Sequence, residues 1–355
     1  MIRPIYLALP FSVFLLTQSL QANSICALQF GSAKKYTEQT KAAVIEMGAL
    51  SSKPVVFEVQ DGTGSLLIQV SARRNDSDYV VSTMEDPHGK VYKFDSRGDS
   101  SLISNAYYPG YAMALMTPEK GQSSLTAGAW KLTVKTFEKS KDSEQLDVRI
   151  IETKPPSSKI QKLKINLHLT NSFGLTRENF SESILEKGIA DLKAIYIRYG
   201  IDIEIGEIVD YKIRSQEIVI DPDNRSFSLE ELINTPEAMK EGLNIFLIES
   251  IDRYEAQGGS PGAPGVFIDN PKSGAIVVSN FRDPLMRLKP MGLLLAHEIG
   301  HFLGRKHPYE VGEPMPVALD LNNIMIPDTL AEIDNSKLSF TREEIRTIKT
   351  HPMLN

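Results

Sequence analysis

The chain has 355 residues, 39 of them Lys or Arg and 45 Asp or Glu, for a formal net charge of −6. Its basic residues are scattered rather than gathered into a stripe that could track a phosphate backbone, which argues against a nucleic-acid partner. A single cysteine excludes an intramolecular disulfide framework, and no stretch approaches the about 18 consecutive apolar residues of a membrane-spanning helix.

At the amino end Arg3 precedes an apolar run from Ile5 to Leu16, and a polar segment ending Leu20-Gln21-Ala22 follows. These are the parts of a secretory signal peptide, predicted over residues 1–22. They imply a secreted or extracellular protein, with the periplasm or cell surface as alternatives. Cys26 falls just past the expected cleavage point. It reads first as an incidental residue and second as a lipid-attachment site, because Asn23-Ser24-Ile25 lacks the small residue that normally precedes a lipidated cysteine.

Residues 28–153 show short alternating runs broken by Gly, Asp, Asn and Pro. Strands are predicted at Val55 to Val59, Ser65 to Ser71, Tyr79 to Met84, Val91 to Phe94, Trp130 to Phe137 and Leu146 to Ile151, with no long helix between them. That spacing predicts an antiparallel β-sandwich with Trp130 in its core. Asp86-Pro87-His88-Gly89-Lys90 reads as a hairpin, and Ala127-Gly128-Ala129-Trp130 as a turn feeding an alternating strand. These two stretches are similar to the small prepeptidase-type β-sandwich modules of many bacterial secreted peptidases, a resemblance that implies an accessory role. Residues 154–159, with paired prolines followed by serines, read as a linker stiff enough to hold two domains apart.

The second domain, residues 160–355, opens with Leu163 to Leu169 in a period of two, which places His168 in the polar, outward set. A helix is predicted from Arg177 to Tyr199 with Gly200 as its stop, followed by a strand at Ile201, Ile203 and Ile205. Strand, helix and strand make a crossover unit, so the two strands should be parallel neighbours. Asn244 to Ile248 and Gly274 to Ser279 are short buried strands, and the glycine-rich stretch Gly258 to Gly265 between them can line a cleft. Thr341 and Glu344 form a capping box for a last helix that should pack beneath the site, with His351 in its solvent-facing tail.

The densest chemistry lies at His297-Glu298-Ile299-Gly300-His301-Phe302-Leu303-Gly304-Arg305-Lys306-His307, an HExxHxxGxxH motif that holds three of the six histidines. The apolar run Met291 to Ala296 leads into it, and Ile299, Phe302 and Leu303 continue at helical spacing, so His297 and His301 lie one turn apart on one face. Two imidazoles at that spacing can reach one Zn²⁺. Gly304 then ends or bends the helix, because glycine accepts the left-handed conformation of a helix exit, and the turn can return His307 as a third ligand. Three neutral imidazoles leave the fourth tetrahedral position open for water, as in a catalytic rather than a structural site. Glu298 is placed to take that water's proton.

This motif resembles that of the metzincin clan of zinc endopeptidases, in which a methionine-containing turn follows downstream. Asn322-Asn323-Ile324-Met325-Ile326-Pro327 is the matching stretch, and the resemblance implies that Met325 forms a hydrophobic floor under the metal. Some metzincins place a Tyr two residues after that Met; here Pro327 stands there, leaving the role vacant or filled from elsewhere. His307 is followed by Pro308, as in the serralysin branch, but the calcium repeats of that branch are missing, so the resemblance is to the clan and not to a subfamily. The order of elements is similar to the upper half of a metzincin catalytic domain, and by analogy the strand around Ala275 to Ser279 would be the edge that pairs with an extended substrate.

The expected fold is a multi-domain α+β chain: an antiparallel β-sandwich, then a metzincin-like catalytic domain with a twisted mixed sheet and long helices. The expected function is a secreted zinc endopeptidase acting on protein or peptide substrates, with one catalytic Zn²⁺ on His297, His301 and His307 and Glu298 as general base. A second reading is a surface or extracellular binding protein whose β-sandwich carries the function and whose zinc is structural, although a structural site has no need of Glu298. A third is a peptidase with one dedicated target. Acidic turns leave Ca²⁺ conceivable, but no ordered calcium loop is recognisable. No oligomeric state is specified.

Overall fold

The computed structural model describes residues 40–46, 51–72, 79–93, 103–108, 111–119, 121–136, 145–155, 159–171, 174–180, 184–213, 217–218, 235–251, 258–259, 265–267, 270–279, 290–308, 322–326 and 337–354. The predicted signal peptide, Cys26 and Pro327 lie outside them. Mostly β-structure with few helices, the chain is a multi-sheet α+β fold.

Its amino-terminal part holds β1 (Thr40–Glu46), β2 (Val55–Val59), β3 (Ser65–Ala72), β4 (Tyr79–Glu85), β5 (Val91–Lys93), β6 (Ile103–Tyr108), β7 (Tyr111–Met116), β8 (Gly128–Thr136) and β9 (Gln145–Thr153). They pair antiparallel into a five-stranded sheet, β1-β9-β3-β7-β6, and a four-stranded sheet, β2-β8-β4-β5. Along β8 burial follows the period of two that a half-buried strand requires: Trp130, Leu132 and Val134 are buried while Lys131 and Lys135 are exposed. Those three residues join Leu66, Ile68 and Val70 of β3 and Val81 and Met84 of β4 in one hydrophobic cluster, so the two sheets share a core. Trp130 lies in that core; its indole N–H donates to the Thr126 carbonyl at 2.8 Å and its ring stacks on Tyr92. In the hairpin between β4 and β5, Asp86 Oδ1 accepts from the backbone N–H of His88 and of Lys90, both at 2.9 Å, and Gly89 takes φ +84°.

The carboxy-terminal part holds β10 (Gln161–Leu169), α1 (Ile184–Ile197), β11 (Ile201–Asp210), β12 (Glu217–Ile218), β13 (Gly242–Ile248), β14 (Ser250–Ile251), β15 (Gly258–Gly259), β16 (Val266–Phe267), β17 (Asn270–Ser279), α2 (Met291–Phe302) and α3 (Arg342–Lys349). Its main sheet runs β11-β10-β13-β17-β15, with β16 also on β17. Strands β11, β10, β13 and β17 are parallel, whereas β15 and β16 run antiparallel to β17. A separate parallel pair joins β12 and β14. Strand, helix and parallel strand therefore follow each other in β10, α1 and β11 as the crossover reading expects. The helix is shorter than predicted. Asn179 Oδ1 accepts from the Thr176 N–H at 2.9 Å and its Nδ2 donates to the Gly174 carbonyl at 2.8 Å, so this side chain holds a turn where helical bonds would otherwise start.

Two expectations are corrected here. His168 is not an outward residue: it is fully buried, stacked on Phe246 at 4.4 Å, with Nε2 donating to Asn244 Oδ1 at 3.2 Å. The physical reason is that β10 lies between two parallel partners and, although Lys162 and Lys164 are exposed, every residue from Ile165 to Leu169 is buried, so in that half alternation of polar and apolar residues does not separate inside from outside. Burial holds the His168 pKa below its ordinary value. Nor is β17 an edge: β13 covers one side, and on the other β15 pairs with Val277 and Val278 and β16 with Asn270 and Gly274, so among the described residues these two short strands form that end of the sheet.

Helices α1 and α2 pack at paired glycines. A Cβ on Gly188 would fall 2.6 Å from Met291 Cγ, and one on Gly292 would fall 2.5 Å from Asp191 Cβ. Close approach at these points also brings the Tyr196 hydroxyl to the Ala296 carbonyl, 3.1 Å away and one residue before the motif.

The proline-rich segment does not hold the two parts apart. Glu38–Asn355 is one compact unit. Strand β3 is buried on both faces: Leu66, Ile68 and Val70 face the first cluster, while Leu67 joins Met113, Ile151 and the core of α1, α2 and the central strands. Ser65 Oγ donates to the Thr350 carbonyl at 2.6 Å, tying β3 to the end of the chain.

That end corrects a further expectation. His351 is buried rather than solvent-facing, because residues 350–354 turn back against the core and its ring lies 5.3 Å from that of Phe302. Its Nδ1 accepts from the Met353 N–H at 3.2 Å, which leaves the proton on Nε2, a buried atom with no hydrogen-bond partner among the described residues. Desolvation, with the Lys272 charge adding to it, pushes the His351 pKa down to about 3. The unfolded chain therefore takes up a proton that the folded chain refuses. Stability from this group is complete above the unfolded value of about 6.5 and falls as pH drops from there toward about 3. At pH 5 the expected loss is about 2 kcal/mol. Denaturant unfolding at pH 7 and pH 5, compared with His351→Phe, checks it: the wild type should lose about that much more than the variant.

Candidate metal centre

Helix α2 carries His297 and His301 one turn apart, with His297 and Glu298 buried and His301 partly exposed. The helix ends at a Schellman motif: the Arg305 N–H donates to the Gly300 carbonyl and the Gly304 N–H to the His301 carbonyl, both at 2.9 Å, with Gly304 at φ +98°. The chain reverses there and delivers His307. Its Nε2 lies 3.1 Å from that of His297 and 3.0 Å from that of His301, and the latter two are 3.2 Å apart.

The tautomers follow from the outer partners. His297 Nδ1 donates to the Ile324 carbonyl at 2.8 Å, and His301 Nδ1 donates to the Arg305 carbonyl at 2.7 Å. A carbonyl only accepts, so in these two neutral rings the proton sits on Nδ1 and a bare lone pair on Nε2 faces inward. Nitrogens about 2.0–2.1 Å from a tetrahedral zinc would be about 3.3 Å apart. The observed spacing is close to that, and inward lone pairs at such distances repel unless a cation lies among them. The three-histidine cluster can therefore bind a metal, and its donor set fits one.

Turn and floor are tied to the last helix. Asn323 Oδ1 accepts from the Met325 N–H at 2.7 Å, and its Nδ2 donates to Glu344 Oε1 at 3.1 Å. Glu344 Oε2 accepts from the Thr341 N–H at 2.7 Å, while Thr341 Oγ1 accepts from the Glu344 N–H at 3.2 Å, completing the capping box of α3. A continuous path thus runs from α3 through Asn323 to the carbonyl that orients His297. Met325 is buried, and its thioether sits on Gly300 between the two helical histidines: a Cβ there would overlap Sδ and fall 3.3 Å from Cε and from Phe340 Cε1.

Every predicted site residue, His297, Glu298, His301, Gly304, His307 and Met325, lies in this one region. Sequence reasoning missed the carbonyls of Ile324 and Arg305 and the Asn323–Glu344 bond. It also missed the contact of β15 with Glu298.

No protein-family model and no curated protein matches the chain. Among solved structures it is similar to metalloproteinase-II from Bacteroides fragilis, at 14% identity and a TM-score of 0.37, over 60% of this chain and 64% of that one. It is similar to the Clostridium perfringens CspB protease at 12% identity and a TM-score of 0.21, over 31% of this chain and 25% of that one. A third, the SPBc2 prophage-derived protein YomS, is matched at 10% identity and a TM-score of 0.19, over 34% of this chain and 100% of that one. The chain spans less than two thirds of the length of the first two. At these levels of similarity the functional reading rests on the site itself.

Among the described residues no helix is long and apolar enough to cross a membrane.

Proposed function

We propose that the chain is a secreted zinc endopeptidase of the metzincin type, with residues 160–355 as its catalytic domain and residues 28–153 as an accessory β-sandwich. The observation that carries this reading is the convergence of the Nε2 atoms of His297, His301 and His307 to within 3.0–3.2 Å, with Glu298 next in the helix to the first of them. A zinc ion held by these three nitrogens would supply Lewis acidity toward a peptide carbonyl and toward water.

The chain's own residues supply the rest. Ile324 and Arg305 fix two imidazoles in the tautomer that presents Nε2, and Met325 supports the helix backbone beneath them. Glu298, buried beside its neighbouring histidine, takes the proton of the attacking water and delivers it to the leaving amine as the peptide bond breaks. Extended substrate main chain, from unstructured protein or peptide, is the class such a site accepts.

Hydrolysis of a denatured protein by the chain from residue 23, beside its Glu298→Ala variant, tests this. The variant should lose activity by at least the 10²–10⁴-fold that a general acid–base group contributes, with its zinc content unchanged. A binding protein with a structural metal would give two inactive proteins with equal zinc, and cleavage surviving in the variant would remove Glu298 from the role.

A further inference from the structure

Gly258 belongs to β15, where it pairs with Val278 of β17. Its backbone is pressed against the side chain of Glu298. A Cβ built on Gly258 would fall 2.5 Å from Glu298 Cγ and closer still to Cδ and Oε1, whereas ordinary contact begins near 3.4 Å. Conformational freedom does not explain a glycine here, because Gly258 is strand backbone and is not among the residues with positive φ. What the position uses is the missing side chain, which lets another group approach the strand.

The rest of α2 cannot give way instead. Gly292 is packed on Asp191, Gly300 on Met325, and all but one residue of the helix are buried. The atoms that a side chain at 258 would strike, Cγ, Cδ and Oε1 of Glu298, belong to a flexible side chain, so it is this side chain with its carboxyl group that moves. Restoring ordinary contact needs a shift of about 1 Å, and a displacement of that size in a reacting group costs on the order of 100-fold in rate.

We propose that Gly258 is a positioning residue for the catalytic base: the bare backbone of β15 confines the Glu298 carboxyl beside the histidine cluster. This rests on the peptidase reading of the site. The strand is thereby coupled to the motif helix at the base itself, and what a side chain at 258 displaces is the Glu298 carboxyl.

The test is Gly258→Ala assayed on a denatured protein, accompanied by crystal structures of the wild type and Gly258→Ala and by a double-mutant stability cycle with Glu298→Ala. Alanine at 298 lacks Cγ, Cδ and Oε1, the three atoms that a Cβ at 258 would strike. Gly258→Ala should lower kcat by about 100-fold when Glu298 is intact, with KM within about twofold and zinc content unchanged, and any fall in melting temperature that it causes should vanish in the Glu298→Ala background. Its crystal structure should show the Glu298 carboxyl displaced by about 1 Å with the three Nε2 atoms in place. An undisplaced carboxyl, a lost metal, an unchanged kcat, or the same fall in melting temperature in both backgrounds would overturn the proposal while leaving an active wild type as a peptidase. An inactive wild type would overturn the peptidase reading, and the positioning role of Gly258 with it.

Discussion

Replacing His307 by alanine is expected to empty the site of metal and take hydrolysis to background. This histidine is the only one of the three outside α2, and its Nε2 closes the triangle at 3.1 and 3.0 Å from the other two. Two imidazoles on one helix face remain in the variant, with a side of the cluster open to water. Losing an orienting partner of a ligand costs about 10–100-fold in metal affinity; losing the ligand itself should cost more. Zinc content after dialysis and hydrolysis of an unstructured protein, measured on one preparation, check it. Stoichiometric zinc together with normal turnover would take His307 out of the site. The same logic extends to Gly304, whose left-handed backbone makes the reversal possible.

The motif was legible because its constraint is local. Spacing along one helix fixes where His297 and His301 point, and a glycine at a helix exit marks a reversal, so three residue types at set intervals suffice. Outer partners are another matter. Ile324 and Arg305 act through carbonyls that every residue possesses, and no residue type betrays them. Among the strands, β8 could be read because one face is buried and the other wet, whereas β7 (YAMALM) is buried along nearly its whole length and shows no alternation to find. The end strand β15 is two glycines, which have low strand propensity, so the edge of the sheet was assigned one strand too far inward. Local pattern places His168 and His351 outside, and only the covering of a second layer reverses that placement.

The chain from residue 160 onward, made without the amino-terminal sheets, is expected to be far less stable than the chain from residue 23 and to bind zinc more weakly. Leu67, Met113 and Ile151 are all buried, and they share a cluster with Leu163, Phe302, Met353 and Leu354. Burying a large apolar side chain contributes about 1.5–3 kcal/mol, so removing three withdraws on the order of 5–9 kcal/mol. That is comparable to the whole stability of an ordinary domain, about 5–15 kcal/mol. Truncation also removes Ser65, the donor to the Thr350 carbonyl, beside which His351 packs on Phe302. Phe302 directly follows His301, accepts from the Gly265 N–H at 3.1 Å through its carbonyl, and fills the space left by the missing side chain of Gly274. Loosening the tail therefore loosens the end of the helix that carries His297 and His301. Thermal unfolding should report a melting temperature lower by at least about 10 °C, taking 2–4 °C per kcal/mol for a domain of this size, with a weaker zinc affinity in a parallel titration. Equal melting temperatures and equal affinities for the two proteins would mean that β3, β7 and β9 lie on the carboxy-terminal part without supporting it.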